Sequence, residues 1–89
     1  MDVNKAWANI IKHEGEIFHT VSNLEFTYQM NLNSNGFITN RGKITLTQKN
    51  FEKAFSLMPV KGPGELGQNG IYGNPYVYAL LTDKRIMND

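Results

Sequence analysis

Apolar residues recur along this chain with two different periods. Val3, Trp7, Ile10 and Ile11 are spaced i, i+4, i+7, i+8, which places them on one stripe of a helix. Asp2 stands where an N-cap is wanted, and Lys5, Asn9 and Lys12 fall away from the stripe. Gly15 ends this helix by taking up the left-handed conformation that costs glycine least. The period then shortens. Glu16–Thr20 reads as a short strand, because Ile17, Phe18 and Thr20 suit a pleated surface. Ser22 and Asn23 mark a turn, after which Leu24, Phe26, Tyr28 and Met30 alternate with Glu25, Thr27, Gln29 and Asn31. Strict alternation predicts one buried and one wet face. The Asn35-Gly36 pair predicts a tight hairpin, since both residues tolerate positive φ, with Phe37–Asn40 as the returning strand. After a bend at Asn40-Arg41-Gly42, Ile44 and Leu46 alternate with Lys43 and Thr45 in a further strand or a continuation of the same one.

The helical period returns at Phe51, Ala54, Phe55 and Met58, behind Thr47 as N-cap and ahead of Pro59 as stop. Residues 61–74 hold five glycines and Pro63, which predicts a long loop. Asn74 as cap and Pro75 at the first helical position open a last helix with Val77, Leu80 and Leu81 on its apolar stripe. Lys84 and Arg85 lie near the end of that helix, at its negative pole. The expected order is α-β-β-β(β)-α-loop-α. This is a small α+β domain: an antiparallel sheet of three to four strands, an N-terminal helix and two C-terminal helices, spanning residues 1–89 as a single unit.

Composition narrows the function classes. With 89 residues the net stability expected is about 5–9 kcal/mol, which leaves little for an extended internal cavity. No cysteine is present, so disulfide frameworks, thiolate zinc sites, iron–sulfur clusters and thiol nucleophiles are all excluded. The longest apolar run, Tyr76 to Leu81, is far short of the roughly 20 residues of a membrane span. The polar residues after Met1 do not resemble a secretory leader. A cytoplasmic location without membrane contact is the expectation, and the Asn, Lys and Ile content suits an AT-rich bacterial or phage genome.

The net charge of +1 conceals an uneven distribution. Residues 41–61 carry Arg41, Lys43, Lys49, Lys53 and Lys61 against Glu52 alone, a net +4, while the segments before and after are net −2 and −1. Lys49 and Lys53 are four apart and therefore share a helix face, beside the Phe51/Phe55 stripe. A basic hairpin end next to a basic helix can track phosphates through counterion release; an ordinary solvated surface has the same composition.

Sites for chemistry are sparse. Gly62-Pro63-Gly64-Glu65-Leu66-Gly67 fits G-x-G-x-x-G, but it follows a helix rather than a strand and Pro63 removes a backbone donor, so it reads as a connector. An anion-binding nest of its backbone N–H groups is the lesser reading. His13, Glu14, Glu16 and His19 form the one His/carboxylate cluster. Glu16 and His19 would point to opposite strand faces, and a helix C-terminus accounts for His13, so no metal ligand is assigned. Ser22, Ser34 and Ser56 lack a nucleophile elbow, and no spacing favours a carboxylate pair among Glu14, Glu16, Glu25, Glu52 and Glu65. No catalytic residue, enzyme activity or cofactor is expected.

Trp7, Phe26, Tyr28, Phe51 and Phe55 sit on apolar stripes and read as core. Tyr72, Tyr76 and Tyr78 cluster around the glycine-rich segment, and Tyr76 and Tyr78 cannot share one helix face. One ring is expected to face solvent, suited to base stacking or to a protein contact; packing against the loop is the alternative. Two functions follow. One is a binding module that holds nucleic acid through Arg41, Lys43, Lys49, Lys53 and Lys61 with a stacking tyrosine. The other is a protein-interaction or inhibitor module built on Tyr72, Tyr76 and Tyr78, acting through an open sheet edge or a symmetric dimer.

Overall fold

The computed structural model of the chain describes residues 1–88. Its elements are α1 (Val3–Lys12), β1 (Phe18–His19), β2 (Glu25–Phe26), β3 (Tyr28–Met30), β4 (Gly36–Thr39), β5 (Leu46–Thr47), α2 (Gln48–Leu57), α3 (Pro63–Gln68), α4 (Asn74–Leu81) and α5 (Lys84–Met87). The α+β class is as expected: an N-terminal helix, antiparallel strands and C-terminal helices. The strands form a pair, β1–β2, and a three-stranded sheet ordered β3–β4–β5.

Two of the three expected N-caps form. Asp2 accepts from the Lys5 N–H at 2.8 Å and Thr47 from the Asn50 N–H at 3.1 Å, each satisfying an orphan donor of the first helical turn. Trp7 and Ile10 are buried as the stripe requires, with Ala6, but Ile11 is exposed and Val3 only half-buried.

The alternating segment 24–30 is not one strand. Residues 25–26 pair with β1 (Phe18↔Phe26), whereas residues 28–30 pair with β4 (Tyr28↔Thr39). The change of partner falls at Thr27, whose N–H donates to the Asn40 side chain at 2.9 Å and whose carbonyl accepts from the Asn40 N–H at 3.0 Å. The alternation survives the change, since Phe26 and Tyr28 are both buried. Leu24 lies beyond the pairing and is exposed. The turn after β3 is built by Asn31–Asn35, with Ser34 at φ 55, and not by an Asn35-Gly36 pair. Gly36 begins β4 for a steric reason: a Cβ there would lie 2.8 Å from Thr45 Cγ2. The strand expected over Lys43–Leu46 reduces to Leu46–Thr47, and Ile44 faces solvent in the bend before it.

The expected loop at 61–74 contains a helix. Pro63 occupies the first position of α3, and fully buried Leu66 anchors α3 against α4. Asn74 does not cap α4. It is the first helical residue, and its side-chain amide crosses to the Pro63 carbonyl at 2.9 Å, while Gly73 at φ 60 takes the cap position. Lys84 and Arg85 do not close the last helix either. Asp83, accepting from the Arg85 N–H at 2.8 Å, starts the separate α5.

Aromatic rings run through the core as an unbroken series. Phe55 touches Phe51, Phe51 touches Trp7, and Trp7 touches Phe37; Tyr28, Phe18, Phe26 and Tyr76 continue the line, with successive centroids 5.1–6.5 Å apart. The series ties α2 to α4 through the strands and α1. The Tyr28 hydroxyl donates to the Ile10 carbonyl at 2.6 Å. That carbonyl is one of the last four of α1, which lack a helical donor. Burial pushes the Tyr28 phenol well above its ordinary pKa, so it stays protonated and donating. Among the described residues no helix is long and apolar enough to cross a membrane.

Candidate functional site

Lys49 and Lys53 project from the face of α2 opposite its buried residues Phe51 and Ala54, and both are exposed. Beside this face runs the segment 70–73, held there by Asn50. The Asn50 side chain donates Nδ2 to the Tyr72 carbonyl at 3.0 Å and accepts from the Tyr72 N–H at 3.0 Å. Gly70, at φ 80, lies under the Lys53 ammonium: a Cβ there would be 3.6 Å from Nζ. With its backbone fixed in this way, Tyr72 keeps its side chain out in solvent at 69% relative exposure.

On its other side Tyr72 borders an open groove of about 160 Å³, lined also by Lys43, Ile44, Leu46, Gly73 and Tyr76. Leu46 and Gly73 meet closely within it. A Cβ on Gly73 would stand 2.5 Å from Leu46 Cδ1, so any other residue at this left-handed position would have to displace the Leu46 side chain. Ile44, 67% exposed, and Tyr72 are the apolar side chains at its rim. Lys43 thus borders the groove on one side of Tyr72, and Lys53, whose ammonium lies by Gly70, borders the segment 70–73 on α2; Lys49 shares the α2 face with Lys53 and also lines a second open depression with Glu52. None of these three lysines makes an ion pair among the described residues. The nearby Glu52 carboxylate accepts from Gln48 Nε2 at 3.2 Å.

The remaining expected residues lie apart. Arg41 donates its Nε to the Glu25 carbonyl, which ties its guanidinium to the start of β2. Lys61 stands beyond the C-terminal end of α2, a helix about 15 Å long. Its N–H donates to Glu65 at 3.4 Å. Tyr76 is half-buried with its ring edge-on to Phe26 at 5.1 Å. Tyr78, half-buried against the core, points about 200° round α4 from Tyr76 and does not reach the groove. Asn50 and Ile44 had no distinguishing signal in the sequence: Asn50 reads as an ordinary helix position, and Ile44 as the inward half of an alternating pair.

The His/carboxylate cluster is an ion-pair network. His13 Nδ1 lies 2.8 Å from Glu16, Glu16 is 3.2 Å from Arg85 Nη1, and Arg85 bonds Asp83 through Nε and Nη2 at 3.0 and 2.9 Å. The Arg85 guanidinium rests 3.7 Å from the centroid of the Phe18 ring. The hydrogen bond to His13, then the one to Arg85, holds Glu16 below the usual carboxylate range; Arg85 does the same for Asp83, and these carboxylates raise Arg85 in turn. Glu14 turns away to accept the Met30 N–H at 2.7 Å, and His19 faces Glu25 at 3.7 Å. Among the described residues no group of three or more His, Asp or Glu side chains is placed to hold a metal ion. Compared with protein-family models, curated proteins and solved structures, the chain has no significant match to any of them.

Proposed function

We propose that this protein is a non-enzymatic module that binds nucleic acid through the surface formed by Lys43, Lys49, Lys53 and Tyr72. The supporting observation is the clamped, solvent-facing Tyr72 set between lysines that have no carboxylate partner among the described residues. Unpaired ammonium groups attract phosphates and release counterions, and an exposed phenol ring on a fixed backbone offers a stacking platform. Arg41 and Lys61 lie outside this surface, Arg41 with its guanidinium held at the Glu25 carbonyl and Lys61 beyond the C-terminal end of α2.

Fluorescence anisotropy with labelled oligonucleotides tests the reading. Three phosphate contacts predict that affinity falls about 20- to 40-fold between 50 and 200 mM salt. Replacing Lys49 and Lys53 together by Glu abolishes binding. Affinity that ignores salt, or survives this double substitution, overturns the proposal.

A protein-interaction module is the second reading. It is favoured by exposed Ile17, just before β1, and exposed Val21 and Leu24 in the turn between β1 and β2. A contact there is insensitive to salt and to Lys49 and Lys53, and it is lost on Val21→Asp.

A further inference from the structure

We infer that the groove between Ile44 and Tyr72 receives one unstacked base, so that the nucleic acid bound is single-stranded. The inference rests on the reading of the adjoining lysine surface as a phosphate-binding face.

The groove has the features such a base requires. At about 160 Å³ it is smaller than the roughly 300–1,000 Å³ of pockets for drug-sized ligands, so it takes a single ring system and not an extended molecule. Its lining includes one exposed aliphatic and one exposed aromatic side chain, Ile44 and Tyr72, the kinds of surface on which extruded bases stack. Both stay exposed although a large apolar side chain gains by burial.

The groove is also preorganised. The Asn50 side chain fixes both backbone polar groups of Tyr72. Within its lining Gly73 packs close against Leu46, and Tyr76 is held by Phe26. No Asp or Glu lines it, and Lys43 stands at its edge where the phosphate next to an inserted base would pass. That charge favours a nucleotide over an apolar protein side chain, for which a lysine at the rim has no counterpart. A duplex keeps its bases stacked and paired inside, and extruding one costs energy that a single strand does not spend.

The experiment compares three labelled probes of equal length: a 12-residue oligothymidylate, its duplex with oligoadenylate, and an abasic deoxyribose-phosphate strand. The oligothymidylate is expected to bind about 5- to 160-fold more tightly than the abasic strand, the range that stacking of one base supplies, and more tightly than the duplex. Ile44→Ala and Tyr72→Ala each remove most of that difference, whereas Tyr72→Phe retains it. Amide spectra of each variant confirm the fold, which exposed side chains leave intact. Equal affinity for oligothymidylate and abasic strand, or duplex bound as well as single strand, overturns the inference while the lysine surface stands. Binding of none of the probes overturns the lysine surface as well.

Discussion

Asn50 and Tyr72, twenty-two positions apart, form a closed pair of hydrogen bonds in which one side-chain amide satisfies both the N–H and the carbonyl of Tyr72. The pair connects α2 to the segment before α4 and sets where the one strongly exposed aromatic ring points. Asn50→Ala removes both bonds. A stability loss of about 1 kcal/mol is expected in chemical denaturation, together with weaker oligothymidylate binding as Tyr72 loses its fixed backbone. Asn50→Asp can still accept from the Tyr72 N–H but cannot donate to its carbonyl, and the added negative charge between Lys49 and Lys53 weakens binding further.

The lysines are distinguishable one by one through salt. Lys43→Ala, Lys49→Ala and Lys53→Ala each lower the slope of log affinity against log salt by about one. Lys61→Ala, beyond the end of α2, leaves the slope unchanged. All four are exposed, so unfolding free energies stay within about 0.5 kcal/mol of the parent. A Lys61 effect equal to the others would show that the contacted surface runs along the whole of α2.

Tyr28 links the centre of the aromatic series to the end of α1. Tyr28→Phe leaves the Ile10 carbonyl without its donor and costs about 1–2 kcal/mol. The phenol's folded pKa is raised, so its contribution is complete below the ordinary tyrosine pKa of about 10 and is lost as pH rises toward the folded value. Stability therefore declines in the parent above about pH 10. Tyr28→Phe flattens that decline, as thermal melts across pH 8–11 would record.

Arg85 governs the acid side. Glu16 and Asp83 have depressed folded pKa values, so their contribution is present above the ordinary carboxylate range and is lost as pH falls through the lowered values. Arg85→Ala removes the bonds to both carboxylates and the contact with Phe18. It is expected to cost about 1–2 kcal/mol at pH 7 and to make the acid decline below about pH 4 shallower. Arg85→Lys recovers only part of the loss, because an ammonium group cannot reproduce the fork to Asp83 while lying over the ring.

Gly73→Ala combines a left-handed φ of 60° with a methyl group 2.5 Å from Leu46 Cδ1. A loss of about 2 kcal/mol follows. In a double-mutant cycle with Leu46→Ala the two losses are less than additive, because the second substitution removes the clash.

What the sequence by itself determined is local. The capping bonds of Asp2 and Thr47 reach three residues, and the alternation of Phe26 and Tyr28 needs only the pleat of an extended chain. The starts of α1 and α2 and the inward positions Trp7, Ile10, Phe26, Tyr28 and Phe51 can be read at that range. Only tertiary structure decided which apolar side chains were finally covered. Leu24 and Ile44 have the same pattern as their buried neighbours, but no distant element reaches them. Leu66 turns a glycine-rich stretch into α3 because α4 is there to receive it. Tyr72 and Tyr76 look alike beside the same glycines. They differ because Phe26, fifty positions before Tyr76, packs on that ring, while Asn50 holds the backbone of Tyr72 and leaves its ring in water. A lysine-rich stretch could be seen along the chain, but its division into a face around Lys43, Lys49 and Lys53 and two outlying cations arose from contacts across the fold. Periodicity encodes which side of an element turns inward; what it meets there depends on residues whose proximity exists only after the chain has packed.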